Sequence, residues 1–168
     1  MAVFAGLVLI AVSLSVTGCE LDDEEYEESF EPNPMLEGEW RTEWDGYIIN
    51  LGATTLEYVD GGYGVGFDGT IVKVVNFNSV RTAGIIFIKY GNKPVDYSTG
   101  VPPEGDYIGI YFKDLTSATG QFASPVEEYD SDTYLTPAKA TQAEAEQTFT
   151  EGKAGDYVLS WVTYEKQQ

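Results

Sequence analysis

From Trp40 onward, apolar residues recur at every second position over short runs broken by turn residues. A period of two places alternate side chains on opposite faces of a strand. The pattern predicts strands over Trp40–Trp44, Gly46–Leu51 and Thr54–Val59. After the turn signal Asp60-Gly61-Gly62, residues Tyr63–Phe77 hold a further strand or pair of strands, with Asp68-Gly69 as a bend. Ala83–Tyr90 reads AGIIFIKY, a β-branched and aromatic run that we expect to be buried on both faces. Gly91–Gly105, with Pro94, Pro102 and Pro103, is a loop. Asp106–Asp114 alternates most cleanly: Ile108, Ile110 and Phe112 share one face, and Tyr107, Gly109, Tyr111 and Lys113 the other. Shorter strands are expected over Thr119–Ala123 and, at the end, Asp156–Tyr164.

Only one segment shows helical spacing. Acidic loop runs through Asp132, and Thr136-Pro137 then reads as an N-cap and first helical position. Ala138, Gln142, Ala145 and Phe149 fall on one face of that helix, Ala143 and Ala145 let it lie close on a sheet, and Gly152 ends it. The fold class that follows is mainly β: an antiparallel barrel, closed or nearly so, with one short α-helix before the last strand. Closure is favoured over an open sheet because it leaves no unpaired edge.

Ahead of the strands the pattern changes twice. Residues Ala2–Val16 are apolar apart from Gly6, Ser13 and Ser15. The run is shorter than the about 20 residues a membrane-spanning helix needs, and suits the apolar region of a signal peptide. It ends in Leu14-Ser15-Val16-Thr17-Gly18-Cys19, which resembles the lipobox of bacterial lipoproteins. That resemblance implies cleavage before Cys19, lipid on its sulfur, and membrane anchoring at about 0.8 kcal/mol per buried CH₂. No Lys or Arg precedes Arg41, so a basic segment and a start site further upstream are expected. The competing reading is a buried apolar N-terminal segment with an incidental cysteine. From Glu20 to Glu31 the chain carries acids and no base. Such a block repels itself and reads as a disordered spacer, or also as a surface-sorting signal. The expected organisation is thus a signal peptide over 1–18, an acidic tether over 19–35 and a barrel domain over 36–168. The location that follows is the cell envelope, at the outer membrane or cell surface.

Charge and composition then narrow the chemistry. The formal net charge is −19. Nucleic acid is an unsuitable partner, because phosphate binding needs basic surface. There is no histidine, and Cys19 is the only cysteine. This removes Ser-His-Asp and Cys-His catalysis, common zinc sites and disulfides. No cofactor and no metal is expected, and the chain reads as non-enzymatic.

The start of the barrel carries Gly38-x-Trp40, which resembles the first strand of lipocalin-like barrels. The segments Phe67–Val72, Tyr107–Lys113 and Gly155–Val158 are similar to those of small surface lipoproteins of bacteria. The lipocalin resemblance implies that Trp40 plugs the closed end, while the open end holds a ligand or is packed. In that family a late arginine stacks on the tryptophan and the main helix follows the last strand. Here no arginine follows Arg81, Lys166 lies at the chain's end, and the helix comes before the last strand.

Twelve tyrosines and three tryptophans supply candidate sites. Trp40, Trp44, Tyr107 and Tyr111 are the ligand-binding candidates, because aromatic rings line apolar cavities and stack on sugars. The alternative for each is wall packing. Asp130-Ser131-Asp132 beside Glu127 and Glu128 offers hard oxygens for Ca²⁺ but lacks EF-hand spacing, and reads better as a solvated loop. Asp60–Gly66 is glycine-rich without the Gly-Lys-Ser/Thr of a phosphate loop. Glu39, Glu43 and Asp45 are the only cluster suited to a two-carboxylate hydrolase. We therefore expect a lipid-anchored binding or adhesion module for a small hydrophobic ligand, a glycan or a protein. The alternatives are a structural or protective envelope lipoprotein, such as an inhibitor of a cationic enzyme, and a carboxylate hydrolase. If the lipobox reading is right, radiolabelled palmitate enters the wild-type chain and not Cys19→Ser; equal labelling of both would refute it.

Overall fold

The computed structural model describes residues 33–168, except 45, 61–63, 92–103, 126, 131–132, 136 and 159. Seven strands follow one another as an antiparallel meander: β1 (Gly38–Arg41), β2 (Tyr47–Leu51), β3 (Thr55–Asp60), β4 (Gly64–Asn76), β5 (Gly84–Tyr90), β6 (Tyr107–Lys113) and β7 (Thr119–Ala123). The chain then leaves the barrel. It forms a hairpin of β8 (Glu127–Asp130) and β9 (Thr133–Leu135), the helix α1 (Gln142–Thr148), a 3₁₀ turn (Glu151–Lys153) and the single-turn helix α2 (Ala154–Tyr157). It returns as β10 (Val162–Lys166), which pairs with both β7 and β1 and closes a lipocalin-like barrel of eight strands.

Alternation sets the two faces. Ile86 pairs with Ile110 and Ile88 with Ile108, all pointing into the barrel and buried. Ile85 pairs with Tyr111 and Phe87 with Gly109, on the outer wall, yet these too are buried. The outer cover is α1 and the residue after it: Ala145 and Phe149 are fully buried against β5 and β6. A Cβ at Gly109 would lie 2.9 Å from Phe149 Cβ and 2.8 Å from Ile85 Cγ2, so glycine is what lets this cover sit down. β5 is accordingly apolar on both faces, as its sequence predicts.

The seam between β1 and β10 explains the Gly-x-Trp pair. Trp40 is fully buried, and its Nε1 donates to the Leu36 carbonyl at 2.7 Å. Its ring meets Phe122 edge-on at 5.3 Å, and Phe122 meets Tyr164 at 5.5 Å. Lys166, paired with Trp40 across the seam, places Nζ 5.2 Å from the ring centroid and donates to the Met35 carbonyl at 3.0 Å. A lysine thus takes the stacking place that the family resemblance gives to an arginine. Gly38 has φ +134°, and a Cβ there would come within 2.7 Å of Lys166 Cε. Only glycine suits that backbone and leaves room for the lysine stem.

Asn33 is buried and bridges the β4–β5 turn, with Nδ2 donating to Asn76 Oδ1 at 3.2 Å and to the Arg81 carbonyl at 2.9 Å. The packed region therefore takes in Asn33–Met35. The rest of the segment expected as a tether, the expected signal peptide and Cys19 lie outside the described residues.

Several local expectations are corrected. The strand expected over Trp40–Trp44 stops at Arg41, because the Thr42 amide donates to the Tyr47 carbonyl at 3.1 Å and Thr42 Oγ1 accepts from the Tyr47 amide, reversing the chain. β4 runs unbroken through Asp68-Gly69, and its irregularity against β5 falls between Ile71 and Lys73. The acidic loop contains the β8–β9 hairpin. The helix starts at Gln142, behind Thr141, rather than at Pro137. Lys139 exchanges two backbone hydrogen bonds of 2.8 Å with Tyr107, which holds that stretch against β6. Thr141 and Glu144 form a capping box at the start of the helix. The helix ends before Phe149, and Gly152 lies in the 3₁₀ turn. The last strand is Val162–Lys166, because Asp156 and Tyr157 coil into α2.

Trp40→Ala is expected to cost about 3–5 kcal/mol, the usual range for removing a buried tryptophan. Lys166→Met, which keeps the stem and loses the charge, should cost about 0.5–2 kcal/mol. Urea unfolding of both variants checks the order; equal costs would contradict the plug.

Candidate functional site

The barrel has two unlike ends. One carries the Asn33–Leu36 turn, the β2–β3, β4–β5 and β6–β7 turns and the end of β10, and is plugged by Trp40. The other carries the β1–β2, β3–β4 and β5–β6 connections and the excursion between β7 and β10.

Four neighbouring strands bring aromatic rings to this second end. Tyr58 pairs with Ile49 and with Phe67, and Tyr90 with Gly69, so these rings share the inward face above Ile49. Tyr47 lies two residues before Ile49 and points the same way. Tyr47 and Tyr58 stack at 5.7 Å, and Tyr58 and Phe67 at 5.1 Å. Phe67 meets Tyr90 edge-on at 5.5 Å. Trp44, in the β1–β2 turn, extends the row at the rim, 5.2 Å from Tyr47 and 66% exposed. Tyr47, Tyr58 and Phe67 are half-buried, whereas Tyr90 is buried. The row is a graded apolar surface running from solvent into the barrel. Such a surface can take a flat apolar body or the face of a sugar ring.

Of the candidates read from sequence, Trp44 alone joins this row. Trp40 is at the opposite end. Tyr107 and Tyr111 lie on the outer wall, where the alternation of β6 puts them. Tyr107 pairs with Lys139, and Lys89 Nζ sits 5.7 Å from its ring. Tyr111 is fully buried beneath the segment after α1, and its hydroxyl donates to the Thr150 carbonyl at 3.2 Å. Tyr47, Tyr58, Phe67 and Tyr90 were missed. Each stands near the strand end that faces the same connections, a signal that appears only once antiparallel register is imposed on the strand list.

The polar candidates are only partly described. Glu39 is hydrogen-bonded to Arg41 Nε, Glu43 is exposed in the β1–β2 turn, and Asp45 lies outside the described residues. Glu127, Glu128 and Asp130 belong to β8, while Ser131 and Asp132 lie outside the described residues. Among the described residues no group of three or more His, Cys, Asp or Glu could hold a metal ion. Asp60 pairs with Gly64, so the glycine-rich stretch makes a hairpin; Gly61–Tyr63 lie outside the described residues. A groove of about 540 Å³ along β1–β4 includes Asn50 and Glu57, which already bond to each other at 2.9 Å.

Buried tyrosines make the barrel sensitive to alkali. Burial pushes the Tyr111 hydroxyl up to about 12, and the nearby Tyr157 and Asp156 add to this. Burial raises Tyr90 and Tyr164 further, with Tyr47 adding at Tyr164. These groups hold their protons longer when folded than the ordinary value of about 10 allows. The unfolded chain therefore ionises first, and stability falls as pH rises from about 10 towards 12. Tyr111→Phe should flatten part of that fall in urea midpoints measured against pH. At neutral pH it should cost about 0.5–1.5 kcal/mol for the lost hydrogen bond. An unchanged alkaline slope would contradict the assignment.

No protein-family model, no curated protein and no solved structure matches the chain.

Proposed function

We propose that this chain is a non-catalytic binding module of the bacterial cell envelope, anchored by lipid on Cys19, whose barrel takes a flat apolar molecule or a sugar ring at the mouth lined by Tyr47, Tyr58 and Phe67. The observation that carries this is Trp44: a large aromatic ring left open to solvent that continues a stacked row leading inward. Exposed large apolar side chains that join a contiguous apolar surface mark binding sites, whereas isolated ones mean little. The lack of histidine and the engagement of Glu39 by Arg41 favour binding over catalysis. The acidic run Glu20–Glu31 suits a spacer that holds the barrel off the membrane.

Native mass spectrometry of the full chain from a mild detergent extract, followed by fluorescence titration with the compound that co-purifies, tests this. Trp44→Ala should weaken binding about two- to ten-fold, matching the 0.5–1.5 kcal/mol of one aromatic contact. Its urea midpoint should stay unchanged, since the ring is exposed. Tyr58→Ala should weaken binding as well. Unchanged affinity in both variants, or no ligand at all across apolar and oligosaccharide panels, would sink the proposal.

A further inference from the structure

The cover on the outer wall is incomplete. Beside the C-terminal end of α1, a groove of about 370 Å³ remains between β4, β5 and the chain leaving the helix. Val75, Phe77, Ile85 and Phe87 line it on the barrel side and Phe149 on the other. Val75 pairs with Ile85, and Lys73 with Phe87, so this is the outward face of the wall and has no part in the mouth. The ionisable groups that line the groove are two carboxylates, Glu146 and the exposed Glu151.

The edge of the groove already displays the chemistry it favours. Lys73 lies on the same face as Phe87, and its Nζ meets Glu146 Oε2 at 2.9 Å with both side chains about 28% exposed. A lysine set directly opposite Phe87 thus ends its ammonium on a carboxylate. We infer that the groove binds a small amphipathic cation, with its apolar body between Val75 and Phe149 and its ammonium on Glu151. The volume lies within the roughly 300–1,000 Å³ of small-molecule sites. The lining is mixed: five apolar side chains form the wall and Asn76, Thr150 and the two glutamates the rim, which suits an amphipathic guest better than a fully polar one. With Glu146 held by Lys73, Glu151 is the lining carboxylate left to face a guest, and it disfavours an anion.

The test uses the ¹⁵N-labelled full chain with 2-phenylethylammonium as probe, against 3-phenylpropan-1-ol and 3-phenylpropionate. The ammonium should shift the amides of Val75, Ile85, Phe149 and Glu151; the alcohol should bind more weakly and the carboxylate not at all. Glu151→Gln should weaken the probe about two- to five-fold, as for a solvent-exposed ion pair. Val75→Lys, whose own stem and ammonium would fill the groove, should abolish the shifts. Absence of shifts, shifts at Trp44 and Tyr58 instead, an equal response to the alcohol or carboxylate, or unchanged binding in both variants would overturn the inference. The shifts are assigned residue by residue, so failure here leaves the mouth to be judged separately.

Discussion

The barrel depends on the seam where β10 returns to β1. Only two register pairs join these strands, Trp40 with Lys166 and Arg41 with Glu165. One more backbone hydrogen bond, from Gln167 N to the Glu39 carbonyl at 2.8 Å, extends this short seam. Packing reinforces it: Trp40 is buried against Phe122, tied by Nε1 to Leu36 and covered by the Lys166 ammonium. Gly38 makes that possible by yielding the space through which the lysine stem passes. The same seam sets Tyr164 on β10 close enough to Tyr47 on β2 for the charge of one to oppose ionisation of the other. The plug at one end belongs to this seam, while the aromatic row at the other end is set by the registers of β2 to β5.

What the chain inserts between β7 and β10 decides how the outer wall behaves. A strand in a closed barrel normally shows one face to solvent, yet β5 is apolar on both. α1 resolves this by burying Ile85 and Phe87 from outside, and Gly109 lets Phe149 come down on β6. The helix has only seven residues, too few to cover the full width of the wall. The groove beside Phe149 is the part it does not reach.

Strand positions were legible because alternation is a local signal, and β6 shows it best: the split between Ile108, Ile110 and Phe112 on one side and Tyr107 and Tyr111 on the other is the split observed. The same alternation does not say what covers the outer face, which is why Tyr111 reads as a site residue and proves to be buried and bonded to Thr150. At the helix, Pro137 misleads because proline at a first helical position is a general preference, whereas the capping box of Thr141 and Glu144 four residues later is the stronger device. The end of the chain misleads for a related reason. Val158 reads as part of a strand, but its amide closes a helical turn on the Ala154 carbonyl. Least legible is the mouth, since Tyr47, Tyr58, Phe67 and Tyr90 come together only through three successive strand registers.

Charge ties these parts together. The chain has nine basic residues, and several of them, partly exposed, sit on rings or carboxylates of the fold. Lys166 lies over Trp40, Lys113 over Trp161 at 4.3 Å, and Lys89 over Tyr107. Lys73 is held by Glu146, and Arg41 by Glu39. Cations placed this way stabilise the fold by sitting on rings and carboxylates. Acids still outnumber bases by 28 to 9 over the chain. A chain of that kind repels phosphate and anionic lipid and draws cations towards any apolar recess with a carboxylate beside it. The groove between Val75 and Glu151 is such a recess, and the pairing of Lys73 with Glu146 at its edge shows within this one molecule how an ammonium on an apolar stem is accommodated there.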